Sequence, residues 1–169
     1  MINIQFGQAL NCKEEKMSFS SVEEIITFAI EKEKEASLFY LELSKLETAS
    51  GAKETFQQFS KEEEKHEKML QNFLEDKSLA DAYPTKKVTD LKISDYLVDI
   101  TYEKNMSYPE RLRLAMKREE KSLKMYQELS KQAKDNSQLK IFTILAQEEA
   151  NHKNIIETIY DDYQAKQGN

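Results

Sequence analysis

Residues 56–73 read FQQFSKEEEKHEKMLQNF, and residues 142–159 read FTILAQEEANHKNIIETI. Both stretches carry apolar residues at alternating intervals of three and four, the spacing of a helix that buries one face in a bundle. In the middle of each buried stripe a glutamate is followed three residues later by a histidine. These pairs are Glu63 with His66 and Glu149 with His152. The two stretches therefore predict two core helices that carry the same polar interruption.

The two stretches belong to a longer internal repeat. A shift of 86 residues superimposes Ser21 on Ser107, Glu33 on Glu119, Tyr40 on Tyr126, Phe56 on Phe142, Glu63 on Glu149 and His66 on His152. Self-similarity at a fixed spacing indicates a repeated structural unit. Each half predicts a helical hairpin, so the fold class is all-α: a four-helix bundle made of two repeated hairpins.

Local signals predict where the four helices begin and end. Ser21 with Glu24 and Ser107 with Glu110 have the spacing of capping boxes, which places the starts of the first and third helices. Turns are predicted at 48–51 and at 135–137. The second helix is expected to end near Asp76, and the fourth helix near Tyr163.

A long crossover, residues 77–106, is predicted to join the two hairpins. The pattern of Tyr96, Leu97 and Ile100 suggests a short helix in this crossover. Such a connection lets the second hairpin dock in an orientation that a short loop would forbid. We divide the chain into an N-terminal tail (1–20), the bundle (21–164) and a C-terminal tail (165–169).

The composition excludes several classes of function. A chain of 169 residues suits one domain, and the low content of breakers, 3 Gly and 2 Pro, favours long helices. The net charge of -6 argues against nucleic acid and anionic membranes as partners. No apolar run approaches a membrane span, and the N-terminus lacks the apolar core of a secretion signal, so a cytoplasmic location is expected. The single cysteine, Cys12, cannot form an internal disulfide.

Each of the four predicted core stripes carries a glutamate near its middle: Glu33, Glu63, Glu119 and Glu149. Burying an isolated carboxylate is costly unless it is paired or bound to metal. Four carboxylates at one level of the bundle would also repel one another. Because neighbouring core positions offer no lysine or arginine, we expect two divalent cations between them. Glutamates outside the stripes, such as Glu64, are expected to lie on solvated faces.

The Glu-x-x-His spacing has a geometric reason. Residues three apart on a helix lie on one face, so Glu63 and His66, or Glu149 and His152, can reach the same metal ion. Oxygen and imidazole donors suit iron, manganese or zinc. A lone histidine on a helix is more often structural, but the chain has only 2 His and both occupy this motif.

Two tyrosines, Tyr40 and Tyr126, each follow a core glutamate by seven residues. One interpretation is that they only fill the core. The other is that each hydroxyl donates a hydrogen bond to a metal-bound carboxylate, which makes them candidate catalytic residues.

The pattern Glu33-x6-Tyr40, Glu63-x-x-His66, Glu119-x6-Tyr126, Glu149-x-x-His152 resembles the ferritin-like di-iron carboxylate proteins, above all the erythrin domain of rubrerythrins. The resemblance covers about residues 20 to 164. It implies terminal ligands at Glu33 and Glu119, bridging ligands at Glu63 and Glu149, and one histidine, His66 or His152, on each of two iron ions.

The sequence departs from rubrerythrins at two points. Rubrerythrins carry a rubredoxin module with two Cys-x-x-Cys pairs, whereas this sequence has 1 Cys, so a separate rubredoxin-like protein is the expected electron donor. Rubrerythrins usually have an extra carboxylate one turn after the ligand of the third helix, where this chain has Ser122. The predicted site is therefore the symmetric type with four glutamates and two histidines, closer to bacterioferritin.

Three functions stay open at this point. The first is a redox enzyme that reduces hydrogen peroxide or oxygen in oxidative-stress defence, and for it a homodimer is expected. The second is a ferroxidase or iron-storage protein, which would need a closed shell of many subunits. The third is a metal-free bundle that acts as an interaction module.

Overall fold

The computed structural model describes residues 21–47, 50–76, 103 and 105–167 and contains four helices in this part of the chain. They are α1 (Val22–Leu46), α2 (Ser50–Glu75), α3 (Tyr108–Lys131) and α4 (Asn136–Gln167). The prediction of an all-α four-helix bundle is confirmed. None of these helices has an apolar stretch long enough to span a membrane.

The helix starts follow the capping residues closely. Ser21 caps α1, where its Oγ accepts the backbone N–H of Glu24 at 3.1 Å. At the start of α3, the Glu110 carboxylate accepts the backbone N–H of Ser107 at 2.7 Å. Both contacts occupy hydrogen-bonding groups that the first turn of a helix leaves without a helical partner.

The limits of α4 differ from the prediction. The expected turn at 135–137 is mostly helix, because Asp135 Oδ1 accepts the backbone N–H of Gln138 at 2.8 Å and the helix begins at Asn136. At its other end, α4 continues past Tyr163 to Gln167. No glycine or proline interrupts the chain there, so nothing in the sequence stops the helix before Gly168. Residues 165–167 therefore belong to α4 and not to a tail.

Two clusters of buried apolar side chains occupy the two ends of the bundle. The first joins Ile26 of α1 to Phe73 of α2, Leu129 of α3 and Phe142 of α4. The second contains apolar side chains from the other end of each helix: Leu43 of α1, Phe56 of α2, Leu112 of α3 and Ile156 of α4. The core stripes predicted from the sequence also include Val22 of α1, Ser122 of α3, and Ile159 and Tyr163 of α4, and these four residues are only half-buried.

The clusters also fix the direction of each helix. The start of α1 lies beside the end of α3, so α1 is antiparallel to α3 as well as to α2. α2 ends at the first cluster, whereas α3 begins at the second. α2 and α3 therefore run in the same direction, and most of the predicted crossover, residues 77–106, lies outside the described residues. The predicted short helix at Tyr96, Leu97 and Ile100, the N-terminal tail and Cys12 lie outside the described residues.

The bundle is further held by an ion pair between its hairpins. Arg111 of α3 donates from Nε to Glu47, which follows α1, at 2.6 Å, and also donates to the carbonyl of Met106. The side chains of Arg111 and Glu47 are 12% and 5% exposed. Because both charges are largely withdrawn from water, each depends on the other for compensation.

Candidate metal centre

A buried polar layer separates the two apolar clusters. It contains the six predicted metal ligands, each between 0% and 4% exposed: Glu33, Glu63, His66, Glu119, Glu149 and His152. The helical register explains the layer, since each glutamate occupies a core position halfway along its helix and each histidine follows by one turn. The structure thus brings together side chains from all four helices.

The first group of converging atoms surrounds the ring of His66. Its Nδ1 lies 3.4 Å from Glu33 Oε2, 3.0 Å from Glu63 Oε2 and 3.3 Å from Glu149 Oε1. Three different helices therefore direct a carboxylate oxygen at one imidazole nitrogen. These four residues form one of two clusters with the composition and proximity of a metal site.

The second group surrounds the ring of His152. Its Nδ1 lies 3.1 Å from Glu63 Oε1 and 3.3 Å from Glu119 Oε2, and Glu149 completes the cluster. The rings of His66 and His152 are nearly parallel, with centroids 5.4 Å apart. Glu63 and Glu149 belong to both groups, so they lie where bridging ligands would.

The donor atoms fit a pair of metal ions. Four buried atoms have no hydrogen bond of good geometry among the described residues: Glu63 Oε1, Glu119 Oε2, Glu149 Oε1 and His152 Nδ1. Each of them nevertheless has another potential metal-ligand atom 3.1 to 3.3 Å away. Ligands about 2.1 Å from a metal ion stand about 3.0 to 3.4 Å from one another, depending on whether the coordination is octahedral or tetrahedral. The observed separations are therefore compatible with ligands of a common metal ion, and in the metal-free protein the same pairs are contacts between an imidazole and a carboxylate. Oxygen and imidazole donors are also the set that iron, manganese and zinc accept.

The electrostatics of the layer show how its carboxylates are compensated without a bound cation. Burial, with repulsion from Glu63, Glu119 and Glu33, raises the pKa of Glu149 well above its usual value. Burial also raises the pKa of Glu33 to about 7, despite the opposing contact with His66. Without metal, the layer therefore limits its negative charge by retaining protons. Metal ions would displace those protons and compensate the carboxylates directly.

The two histidines and Glu63 favour their charged forms, whereas Glu33 and Glu149 favour their neutral forms. Burial opposes a charge on each imidazole, but the carboxylates around them raise the pKa of both His66 and His152 well above 6.5. Burial also opposes ionisation of Glu63, yet the two histidines together lower its pKa well below 4.5. Glu63 thus keeps its negative charge at the position shared by both groups.

The two tyrosines contact carboxylates of the opposite hairpin. Tyr40 donates its hydroxyl hydrogen bond to Glu119, and Tyr126 donates to Glu33. Both hydroxyls are buried, and burial followed by the charge of the accepting carboxylate raises the pKa of each tyrosine well above 10. They therefore stay protonated and act as donors. These hydrogen bonds agree with the second interpretation, and both rings also pack in the apolar clusters, so the catalytic role of the tyrosines stays a prediction.

The structure adds one contact that the sequence analysis missed. Glu62 Oε2 lies 2.9 Å from Nε2 of His152, the ring nitrogen that faces away from the cluster. A signal was present, since the doublet Glu62-Glu63 recurs as Glu148-Glu149 in the repeat. Ser122 lies one turn after Glu119, at the position where the sequence lacks an extra carboxylate. Its side chain is only half-buried and belongs to neither group.

Buried charges beside the layer were also unexpected. Lys117 and Glu120 of α3 are buried and form a 2.8 Å ion pair, and the exposed Lys124 also contacts Glu120. Burial opposes ionisation of Glu120, but the two lysines lower its pKa to about 2. These groups lie outside the two candidate metal clusters and compensate one another.

Comparison with known proteins gives two matches. The family model described as Rubrerythrin matches residues 24–107 and 110–168, which is most of the chain. A solved structure of a hypothetical protein from Pyrococcus furiosus is similar, with 25% sequence identity and a TM-score of 0.63 over 87% of this chain and 92% of that one. No curated protein matches significantly.

Proposed function

The chain belongs to the rubrerythrin family, and we propose from that premise that it is a di-iron carboxylate protein that reduces hydrogen peroxide or oxygen. One observation carries the proposal: two overlapping groups of four buried donors share Glu63 and Glu149. A single metal ion would need only one of the two groups and only one of the two histidines. The overlap supports two ions that would share Glu63 and Glu149.

Each ion would have its own terminal ligands. Glu33 and His66 would hold one ion, Glu119 and His152 would hold the other, and the shared Glu63 and Glu149 would bridge them. Iron is the metal that we propose, with manganese or zinc as the alternatives that the same donors would accept.

Two ferrous ions bound here would supply the two electrons that, with two protons, convert one hydrogen peroxide to two waters. The contribution of the chain is to hold and shield this chemistry. The apolar clusters on both sides of the layer exclude bulk water. Tyr40 and Tyr126 hold Glu119 and Glu33 by hydrogen bonds, so these carboxylates keep one orientation while the charge at the site changes.

The cycle would then need an external reductant. We propose a separate rubredoxin-like protein as the electron donor, since the 1 Cys of this sequence does not supply the four thiolates of a rubredoxin site. We also propose a homodimeric assembly and a cytoplasmic location.

The test is anaerobic stopped-flow mixing of the ferrous-loaded protein with hydrogen peroxide and, in parallel, with oxygen. The proposal expects the protein-bound iron to oxidise much faster than the same concentration of free ferrous ion with at least one of the two oxidants, and the comparison of the two rates identifies the preferred one. Glu64→Ala, which changes an exposed glutamate, is the matched control and should behave as the wild type. Oxidation no faster than that of free ferrous ion would refute the redox role.

One observation favours a second candidate, a ferroxidase or iron-storage protein. The donor set has four glutamates and two histidines, and Ser122 occupies the position of the extra carboxylate, as in the bacterioferritin type of site. Storage requires a closed shell. Light scattering separates the candidates, because a dimer that retains two iron ions per chain argues for the redox role and a large shell that retains many argues for storage.

A further inference from the structure

Positive charge is concentrated on α3 in an otherwise acidic chain. This helix carries seven basic and four acidic residues, among them all three arginines of the sequence: Arg111, Arg113 and Arg118. Its counterpart in the repeat, α1, carries three basic and six acidic residues. Acidic residues also outnumber basic ones in α2 and α4. The excess is therefore specific to α3 and is not a consequence of the repeated fold.

Three of these basic residues form a continuous strip along α3. Arg118, Lys121 and Lys124 follow one another at intervals of three, so their side chains are neighbours on the helix surface. Arg118 is half-buried, Lys121 is exposed, and the side chain of Lys124 is 65% exposed. The equivalent positions of α1, 86 residues earlier, hold a lysine, a glutamate and a leucine. The first hairpin thus has no corresponding basic strip.

The acidic residues of α3 do not cancel the charge of the strip. Glu120 contacts both Lys117 and Lys124, so two lysines share one carboxylate and one positive charge remains. Glu119 belongs to a candidate metal cluster inside the bundle. Nε of Arg118 has no hydrogen-bond partner among the described residues. The strip therefore presents net positive charge at the surface.

A short series of contacts joins the strip to the candidate metal centre. Cζ of Arg118 lies 4.4 Å from the centroid of the Phe39 ring. That ring meets the ring of Tyr40 edge-on, with centroids 5.2 Å apart, and Tyr40 donates its hydroxyl hydrogen bond to Glu119. In the other hairpin Met125 occupies the position equivalent to Phe39. The aromatic contact and the basic strip thus lie on the same side of the bundle.

We propose that the strip formed by Arg118, Lys121 and Lys124 is the docking surface for an acidic electron-transfer protein. This inference rests on the proposed redox function, which needs an external reductant. Two one-electron donors, each docked and oxidised in turn, would return two ferric ions to the ferrous state. Electron transfer slows steeply with distance, so a donor is best placed where few contacts separate the surface from Glu119. Opposite charge on the donor would also speed its association.

The charge of the whole chain restricts the partner to a compact protein. The net charge is -6, so a long polyanion such as nucleic acid would meet repulsion beyond the strip. A small protein with carboxylates on one face would contact the strip alone. Because salt screens charges beyond about 8 Å at physiological ionic strength, its attraction depends on the residues directly beneath it.

The experiment mixes the full chain, loaded with ferric iron, with a reduced rubredoxin of acidic surface as the probe. Stopped-flow absorbance without oxygen follows the oxidation of the rubredoxin at ionic strengths from about 0.01 M to about 0.15 M. The first variant combines Lys121→Glu with Lys124→Glu, and the second is Lys121→Glu alone. The matched control combines Lys65→Glu with Lys68→Glu, which reverses two exposed lysines at the same spacing on α2. NMR of the isotope-labelled, metal-free chain, titrated with oxidised rubredoxin, measures binding independently of electron transfer.

The inference expects the double reversal on α3 to slow electron transfer at low ionic strength by about 10-fold or more. The wild-type rate should fall as salt is added, and this dependence should be lost in the double variant. Lys121→Glu alone leaves the contact of Lys124 with Glu120 in place and should have a smaller effect in the same direction. The control on α2 should change far less. The largest NMR shifts of the wild type should lie on α3 around Lys121.

Three results would overturn the inference. Equal slowing by the α2 and α3 reversals would mean that only the net charge matters. NMR shifts outside α3, or shifts on α3 with a short DNA duplex but none with rubredoxin, would assign the strip to another partner or to none. If the wild type takes no electrons from rubredoxin although peroxide oxidises its ferrous centre, the docking surface fails alone. If peroxide does not oxidise that centre either, the redox function fails with it.

Discussion

Replacing Glu33 with glutamine should have opposite effects on the metal-free and the metal-loaded protein. Glu33 is 3% exposed, accepts a hydrogen bond from Tyr126 and faces His66. Glutamine has nearly the same shape and keeps an oxygen that can accept from Tyr126. The substitution therefore removes one buried negative charge with little change in packing.

The expected magnitude follows from the pKa of Glu33. Burial raises this pKa from 4.5 to about 7, and ionising Glu33 in the folded, metal-free protein therefore costs up to about 3 kcal/mol. Because the pKa is raised on folding, the stability that protonated Glu33 contributes is complete below pH 4.5 and is lost as the pH rises through about 7. At pH 9 metal-free Glu33→Gln should be more stable than the wild type by up to about 3 kcal/mol.

Urea denaturation measures the difference in the free energy of unfolding between Glu33→Gln and the wild type. It is carried out at pH 5, 7 and 9, once with a chelator and once with excess ferrous ion under argon. Without metal, the advantage of Glu33→Gln should grow with pH and be negligible below about pH 4.5. With metal, the order should reverse, because glutamine is a poorer ligand and the wild type gains more binding energy. Glu64→Gln, at an exposed position, should follow the wild type throughout. If metal-free Glu33→Gln has no advantage at pH 9, the argument that buried charge requires a cation is wrong.

Three further predictions concern other parts of the molecule. Glu63→Ala should abolish binding of both metal ions, whereas Glu64→Ala should keep two per chain, as measured by elemental analysis after anaerobic loading; equal loss from both would refute the assignment of the bridging position. Arg111→Ala should lower the free energy of unfolding by about 3 kcal/mol, because it leaves Glu47 buried without its partner; chemical denaturation measures this, and a change below about 0.5 kcal/mol would contradict it. Glu120→Gln should cost about 1 to 2 kcal/mol near neutral pH, discounted for the exposed Lys124. Since the pKa of Glu120 is lowered to about 2, the advantage of the wild type should shrink as the pH falls from 4.5 to about 2, and a pH-independent difference would argue against the ion pair.

The six residues of the candidate centre could be identified from the sequence because their signal is local. The helical period assigns Glu33 and Glu119 to core positions, and the repeat shows that Glu63-x-x-His66 recurs as Glu149-x-x-His152. Electrostatics then makes four carboxylates in one core improbable without cations. These steps require only the spacing along each helix.

The burial of two charged residues on α3 could not be predicted from the spacing along the helix. Lys117 and Glu120 are buried, but the positions equivalent to them in the first hairpin, Glu31 and Lys34, are exposed. The two hairpins have nearly the same pattern of apolar residues, so the helical period predicts the same exposure for both pairs. Burial at these positions depends on what surrounds each hairpin in the folded chain.

The sequence by itself determined the helices, their buried faces and the set of possible ligands, because period and residue type follow from the local chain. Only the tertiary structure decided which groups meet. Tyr40 contacts Glu119, Glu62 contacts His152 and α1 runs antiparallel to α3 because two separate apolar clusters dock the hairpins in one relative direction. That docking depends on the combined packing of all four helices, which no spacing within one helix encodes.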